Sequence, residues 1–383
     1  MMAKTYTENP FVTGQPARGD DFVGRVRLLN HIGRFIENEH SVNFALIGKR
    51  RSGKTSLLKK IQDTRKSPEL LVLYFNMQKY VDSSMDTLLS EIKRRLMRYS
   101  GMPSASTDTK SFEEFLNSAF QYPVRRVLLL FDEFDVICSD QAEDNRKNSV
   151  LAEFVEYWTA LTTYWETKKI PIKNIFASSR DFLYSESPCC YDLFKTCSKG
   201  TVTPLRRSSV EQILGMSQNM EFKNDAVLDE FYKVTAGNPY FTQVLAHTLY
   251  ESDEVGEGKA VGKRLLRRST KEALKSFGYG AAVIWGELKP LQKLVLYFIS
   301  RMIREKTERN CLEITRKLIN SSISLTEFET QRTLNALVRE KFLCESDSGT
   351  YRFCSVFFRS WLQKSVKRRD LTSDFRKLRY EYL

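Results

Sequence analysis

Residues Gly48–Thr55 read Gly-Lys-Arg-Arg-Ser-Gly-Lys-Thr, directly after the apolar run Val42–Ile47 and directly before Ser56–Ile61, where apolar residues recur at helical spacing. This is G-x-x-x-x-G-K-T in the strand, glycine-rich turn and helix that the phosphate-binding loop requires. Gly48 and Gly53 let backbone N–H groups curl around phosphate oxygens through Arg50, Arg51, Ser52 and Ser56, and the helix N-terminus adds its positive dipole end. Lys54 is expected to reach the β- and γ-phosphates, and the Thr55 hydroxyl to coordinate Mg²⁺. These residues imply a nucleotide site for ATP or ADP.

A second apolar run, Leu70–Phe75, is continuous, as in a strand buried on both faces of a parallel sheet. A third, Val127–Phe131, ends in Asp132-Glu133, 78 positions (132 − 54) beyond the loop lysine. A parallel strand delivers its C-terminal residues to the crevice where α/β sheets bind ligands. Asp132 is expected to hold Mg²⁺, and Glu133 to orient or deprotonate the attacking water. A fourth strand, Asn174–Ser178, ends in Ser179-Arg180. Arg180 there reads either as a catalytic sensor of the γ-phosphate or as an exposed arginine at a strand end. A short strand at Thr201–Leu205 is expected to close the sheet. The aromatic helix around 149–166 (Phe154, Tyr157, Trp158, Tyr164, Trp165) is expected to pack on it. Upstream, Phe22-Val23-Gly24-Arg25 suits an adenine pocket or an entry loop that buries its Phe.

From Ser208 onward the periodicity is helical only, with a stop and restart at Thr235–Phe241 and an acidic loop at 251–260. Three short helices, at about 288–303, 311–320 and 325–339, precede two strand-like runs, 342–345 and 350–354, which together read as a winged helix. The expected domains are thus 1–205 for nucleotide binding, 206–284 as helical lid, 285–365 as winged helix and 366–383 as basic tail. A chain of 383 residues has room for such a division. The net charge of +13 favours an anionic partner without choosing among nucleotide, nucleic acid and membrane surface. No apolar run approaches the roughly eighteen residues that span a bilayer. Seven irregularly spaced cysteines fit a reducing cytoplasm better than a disulfide framework.

With these pieces assembled, the chain resembles the AAA+-related STAND P-loop ATPases, particularly their archaeal-ATPase-like branch. The matching residues are Asn9-Pro10-Phe11, Asp21–Arg25, Gly48–Ser56, Leu128–Asp135, Ala177–Arg180 and Gly237–Phe241, in that order. The resemblance implies an α/β P-loop NTPase, a parallel sheet sandwiched by helices, followed by an all-α lid and a winged helix. It also implies that Pro239 lies against the nucleotide base, flanked by Phe22–Arg25. The function so implied is a slowly hydrolysing, Mg²⁺-dependent switch in a regulatory or defence complex. Either a protein partner would supply the sensor or effector or the chain would act as a stand-alone regulator, and homo-oligomerisation is left open. The alternative is a DNA-binding ATPase resembling a replication initiator or transposition regulator. Glu327 and Glu329 on the expected recognition helix weigh against it.

Overall fold

The computed structural model describes residues 9–65, 67, 69–81, 83–100, 112–119, 125–136, 145–179, 188–217, 220–302, 309–321 and 325–371. The chain divides into two compact units. Pro16–Thr203 form one; the residues through Gln15 and from Pro204 onward form the other.

The first unit runs α1 (Val26–Glu37), β1 (Asn43–Ile47), α2 (Lys54–Thr64), β2 (Leu70–Asn76), α3 (Met85–Ser100), α4 (Phe112–Ala119), β3 (Arg126–Asp132), α5 (Asn145–Lys168), β4 (Ile172–Ser178), α6 (Pro188–Lys195) and β5 (Ser198–Thr201). All five strands are parallel, in the order β2-β3-β4-β1-β5. Parallel strands need covered faces, which explains their continuous apolar sequences. Alternation along β1 sends Phe44 and Leu46 to the face that packs with Leu57 and Leu58 of α2. Ala45 joins the opposite cluster, built on Phe75, Phe131, Trp158 and Phe176. There Phe131 stacks on Phe176 at 5.5 Å between ring centroids, while Trp158 meets it edge-on at 5.2 Å. Trp158 and Trp165 are fully buried and in edge contact with each other at 5.5 Å. The aromatic side of α5 is therefore core.

The register aligns the strand ends. Ile47 lies beside Ser178 and Thr201, and Asp132 beside Asn76. The closing strand lies earlier than the expected 201–205. Residues 198–201 pair with β1, while Pro204, which has no N–H, follows where the chain leaves the sheet. Ser198-Lys199-Gly200 gives no apolar signal. Gly200 fits because a Cβ there would come within 2.7 Å of Leu28 and Phe44.

The second unit contains α7 (Arg207–Leu214), α8 (Asp225–Thr235), α9 (Pro239–Tyr250), α10 (Asp253–Gly256), α11 (Lys263–Phe277), α12 (Tyr279–Gly286), α13 (Pro290–Met302), β6 (Arg309–Asn310), α14 (Cys311–Ile319), α15 (Glu327–Arg339), β7 (Leu343–Glu345), β8 (Thr350–Phe353) and α16 (Val356–Ser365). The acidic stretch expected as a loop holds the turn α10, because Asp253 and Glu254 occupy its favourable first turn. The small sheet has three antiparallel strands in the order β6-β8-β7; the two-residue β6 was not visible in the sequence pattern. Hairpin register brings Cys344 and Cys354 together as a disulfide, Cα atoms 5.4 Å apart, a pairing that spacing did not reveal. Trp285 and Trp361 form an edge pair at 6.3 Å. The basic tail beyond Leu371 lies outside the described residues.

Between α8 and α9 the chain reverses through two left-handed residues, Ala236 (φ 52°) and Gly237 (φ 66°). Asn238 then caps α9 by accepting the Phe241 N–H, with Pro239 in the first turn. A Cβ on Gly237 would lie 2.1 Å from the Leu205 carbonyl oxygen. Gly237→Ala is therefore expected to destabilise the protein by more than the left-handed penalty alone, about 1–2 kcal/mol, as read by the urea midpoint.

Candidate nucleotide site

The loop after β1 is shaped by backbone conformations that few residue types accept. Gly53 has φ 95° and Arg51 φ 62°. Gly48 N donates to Ser178 O at 3.0 Å, and a Cβ on Gly48 would come within 2.7 Å of Val202 and 2.9 Å of Ser52. Lys54, only 4% exposed, donates from Nζ to Gly48 O at 2.6 Å and to Lys49 O at 3.1 Å. The ammonium thus sits inside the curl of the loop. Ser52 is buried and Arg51 exposed, while Ser56 Oγ accepts the Ala17 N–H at 3.1 Å.

Asp132, 1% exposed, is held from three directions. Its Oδ2 accepts the Thr55 hydroxyl and the Tyr74 hydroxyl, each at 2.7 Å, and its Oδ1 accepts Glu133 N at 3.0 Å. Three donors on a buried carboxylate offset its lost hydration. Lys59 Nζ lies 3.1 Å from the Tyr74 ring centroid, and Arg95 donates to Tyr74 O at 2.8 Å. Burial and the neighbouring Asp132 push the phenol's pKa well up, so it remains a donor. Burial lowers the pKa of Lys59.

Glu133 follows with φ 55°, a left-handed turn that re-aims the chain at the end of β3. Its carboxylate pairs with Arg50 at 3.8 Å. Burial is the main cause of a pKa raised above the ordinary carboxylate value, with Lys54 opposing. Two residues on, Asp135 accepts both the N–H and the hydroxyl of Ser179, at 3.2 and 2.6 Å, tying the end of β4 to the turn after β3.

The structure therefore brings Gly48, Arg50, Ser52, Gly53, Lys54, Thr55, Asp132 and Glu133 into one cluster at the C-terminal edge of the sheet. Thr55 and Asp132 offer hard oxygen donors, the class that suits Mg²⁺. Phe22 is partly buried against the α1–α2 side of the core. Val23 and Gly24 lead into Arg25, whose guanidinium donates to Ser52 O at 2.7 Å and Thr203 O at 2.5 Å. Pro239 belongs to the other unit. Arg180 lies outside the described residues. Sequence reasoning missed Tyr74, Asp135 and Ser179; only their places at or beyond strand ends could have flagged them.

A family model described as an ATPase domain predominantly from Archaea matches residues 22–244, more than half of the chain. An uncharacterized ATP-binding protein of Methanocaldococcus jannaschii is 24% identical over 212 residues, 43% of this chain and 55% of that protein. The chain thus spans about half the length of the curated relative it matches. Among solved structures, the Walker-type ATPase of Pyrococcus abyssi superposes with a TM-score of 0.62 at 17% identity, over 92% of this chain and 99% of that one. A Cdc6 protein of Pyrobaculum aerophilum reaches 0.45 at 16% identity, with 98% of each chain covered. At 17% identity the match to the Pyrococcus protein concerns the fold alone.

Removing one donor from Asp132 tests how the cluster is held. Tyr74→Phe is expected to cost about 1.5–3 kcal/mol, the range for a hydrogen bond to a charged group. The reading is a lower denaturant midpoint at unchanged m-value.

Proposed function

Because the chain belongs to the family of ATPase domains found predominantly in Archaea, we propose that it works as a slow, Mg²⁺-dependent ATP switch of the STAND type. The observation that carries this reading is the Lys54–Thr55–Asp132–Glu133 cluster at the mouth of a parallel sheet. Lys54 and the loop amides bind the phosphates. Thr55 and Asp132 hold Mg²⁺, which neutralises phosphate charge when bound. Glu133 takes a proton from the attacking water, and Arg180 is assigned to charge stabilisation. Phe22–Arg25 and Pro239 are assigned to the base.

ATP must favour one arrangement by about 5.5 kcal/mol to carry such a switch from mostly off to mostly on. Contacts to the γ-phosphate are the natural source of that preference. The output is assembly with further copies or with a protein partner, in a regulatory or defence setting in the cytoplasm. In this reading 206–284 is the lid, and α13–α15 with the small sheet form a winged helix that serves as structural support.

Glu133→Gln is expected to keep ATP binding while slowing turnover about 10²- to 10⁴-fold; Lys54→Ala is expected to lose ATP binding, measured by calorimetry. Full turnover in Glu133→Gln would remove it as the base. A general base works only when ionised. Burial raises the Glu133 pKa, so the rate should fall on acidification with an inflection above the ordinary 4.5.

A second reading, DNA binding, gains one observation. The Glu329 carboxylate turns back to accept the Thr326 N–H and hydroxyl at 2.8 and 2.7 Å, a cap on its own helix. That leaves Phe328, Arg332, Asn335 and Arg339, with Glu327 the remaining carboxylate in the first turn, along the exposed side of α15. If this face contacts phosphates, duplex affinity falls linearly in log–log with salt, by about 0.9 per phosphate neutralised. A salt-independent affinity removes the reading.

A further inference from the structure

The hydrogen bonds that close on Asp132 are shared unevenly between its two oxygens. Oδ2 accepts both hydroxyls, from Thr55 and from Tyr74 at 2.7 Å each, whereas Oδ1 accepts the Glu133 amide at 3.0 Å. An ionised carboxylate offers about two lone-pair directions on each oxygen. Two donors therefore fill Oδ2, and Oδ1 keeps one direction open. The two hydroxyls differ in kind. Thr55 opens α2 beside the phosphate-binding loop, where its oxygen is itself a donor of the class that suits Mg²⁺. Tyr74 comes from β2 at the edge of the sheet. Its register partner is Leu130, two positions before Asp132 and so on the same face of β3.

The Tyr74 ring is clamped where it lies. Lys59 Nζ sits 3.1 Å from the ring centroid. Lys59 follows Thr55 by one turn of α2, so the helix that presents one hydroxyl also pins the other. On the main chain, Arg95 of α3 donates from Nη1 to Tyr74 O at 2.8 Å and from Nε to Glu91 at 2.6 Å. The same guanidinium covers the Phe75 ring at 4.7 Å. Tyr74 is thus fixed at its backbone and at its ring, with the hydroxyl directed onto Oδ2. All of these residues belong to the unit Pro16–Thr203.

We propose that Tyr74 is a specificity-determining residue for the cation: by occupying Oδ2 it denies Asp132 a two-oxygen grip and so selects Mg²⁺ against Ca²⁺. The inference rests on the Mg²⁺-nucleotide reading above and names the cation specificity of that site. Ca²⁺ gathers about six to eight oxygens and often takes a carboxylate by both of them. Mg²⁺ demands octahedral geometry, keeps several of its waters and is satisfied by a carboxylate that offers one oxygen. A single open direction on Oδ1 serves the second cation and leaves the first short of ligands. The discrimination is a refusal of the competitor and adds no contact to the favoured ion.

The test uses Mn²⁺ as a probe, bound to the full chain with ADP and followed by electron paramagnetic resonance. Mg²⁺ and Ca²⁺ are then titrated in separately to displace it, for the wild type and for Tyr74→Phe. In the wild type, Mg²⁺ should displace the probe at lower concentration than Ca²⁺. In Tyr74→Phe that preference should shrink about tenfold, the factor that one hydrogen bond to a charged group is worth. A merely structural hydroxyl would weaken both cations alike, so a ratio that stays or rises in the variant overturns the proposal. A wild type without preference between the two cations overturns it as well. If ADP brings no Mn²⁺ onto the wild type, the nucleotide reading itself falls, a separate failure. Should Tyr74→Phe not fold, Lys59→Met releases the ring while keeping the hydroxyl. The ratio should again move toward Ca²⁺, and a wild-type ratio there overturns the selecting role.

Discussion

A carboxylate that is almost wholly buried must be repaid by donors, and Asp132 is repaid by three that come from three different segments. Thr55 opens α2, Tyr74 comes from β2, and the Glu133 amide follows β3 itself. No one of these segments can shift without stranding charge in a site shielded from water. The hydrogen bonds thus do more than stabilise: they set the distance between the end of β3 and the loop after β1. That loop in turn hangs from β4 through Gly48 N and Ser178 O, and β4 is tied to the turn after β3 through Ser179 and Asp135. The strand order, with β4 between β1 and β3, makes this closed ring of contacts geometrically available.

Much of this was legible in the sequence. The phosphate-binding loop, the apolar strands and the Asp132-Glu133 ending are local patterns, each fixed by what a strand, a glycine turn or a helix start demands of adjacent residues. What escaped detection was what register alone decides. Tyr74 reads as one more apolar position in Leu70–Phe75, and nothing nearby in sequence says its hydroxyl ends on Asp132. Asp135 and Ser179 are 44 positions apart and meet only because their strands are neighbours. β5 was displaced for a different reason: its edge position relaxes the apolar requirement, so its three leading residues are polar or small. The cystine of the small sheet follows the same rule, since Cys344 and Cys354 are brought together by a hairpin register.

Arg25 shows how one residue type serves several ends. Its fork of donors satisfies two carbonyls at once, which a lysine ammonium does with less geometric constraint. The surrounding Phe22–Gly24 supply apolar cover and a left-handed entry into α1. The same short segment therefore combines apolar surface with a hold on the loop after β1.

The four tryptophans are divided evenly, Trp158 and Trp165 in the core of the α/β unit and Trp285 with Trp361 in the helical one. The first two are fully enclosed and in edge contact at 5.5 Å, so blue-shifted emission is expected of them. The second pair, with Trp361 7% exposed and Trp285 only partly covered, reports a different environment. The chain therefore carries its own pair of optical labels, one for each unit. Substituting either pair with phenylalanine leaves a spectrum that follows the melting of a single unit without any attached dye.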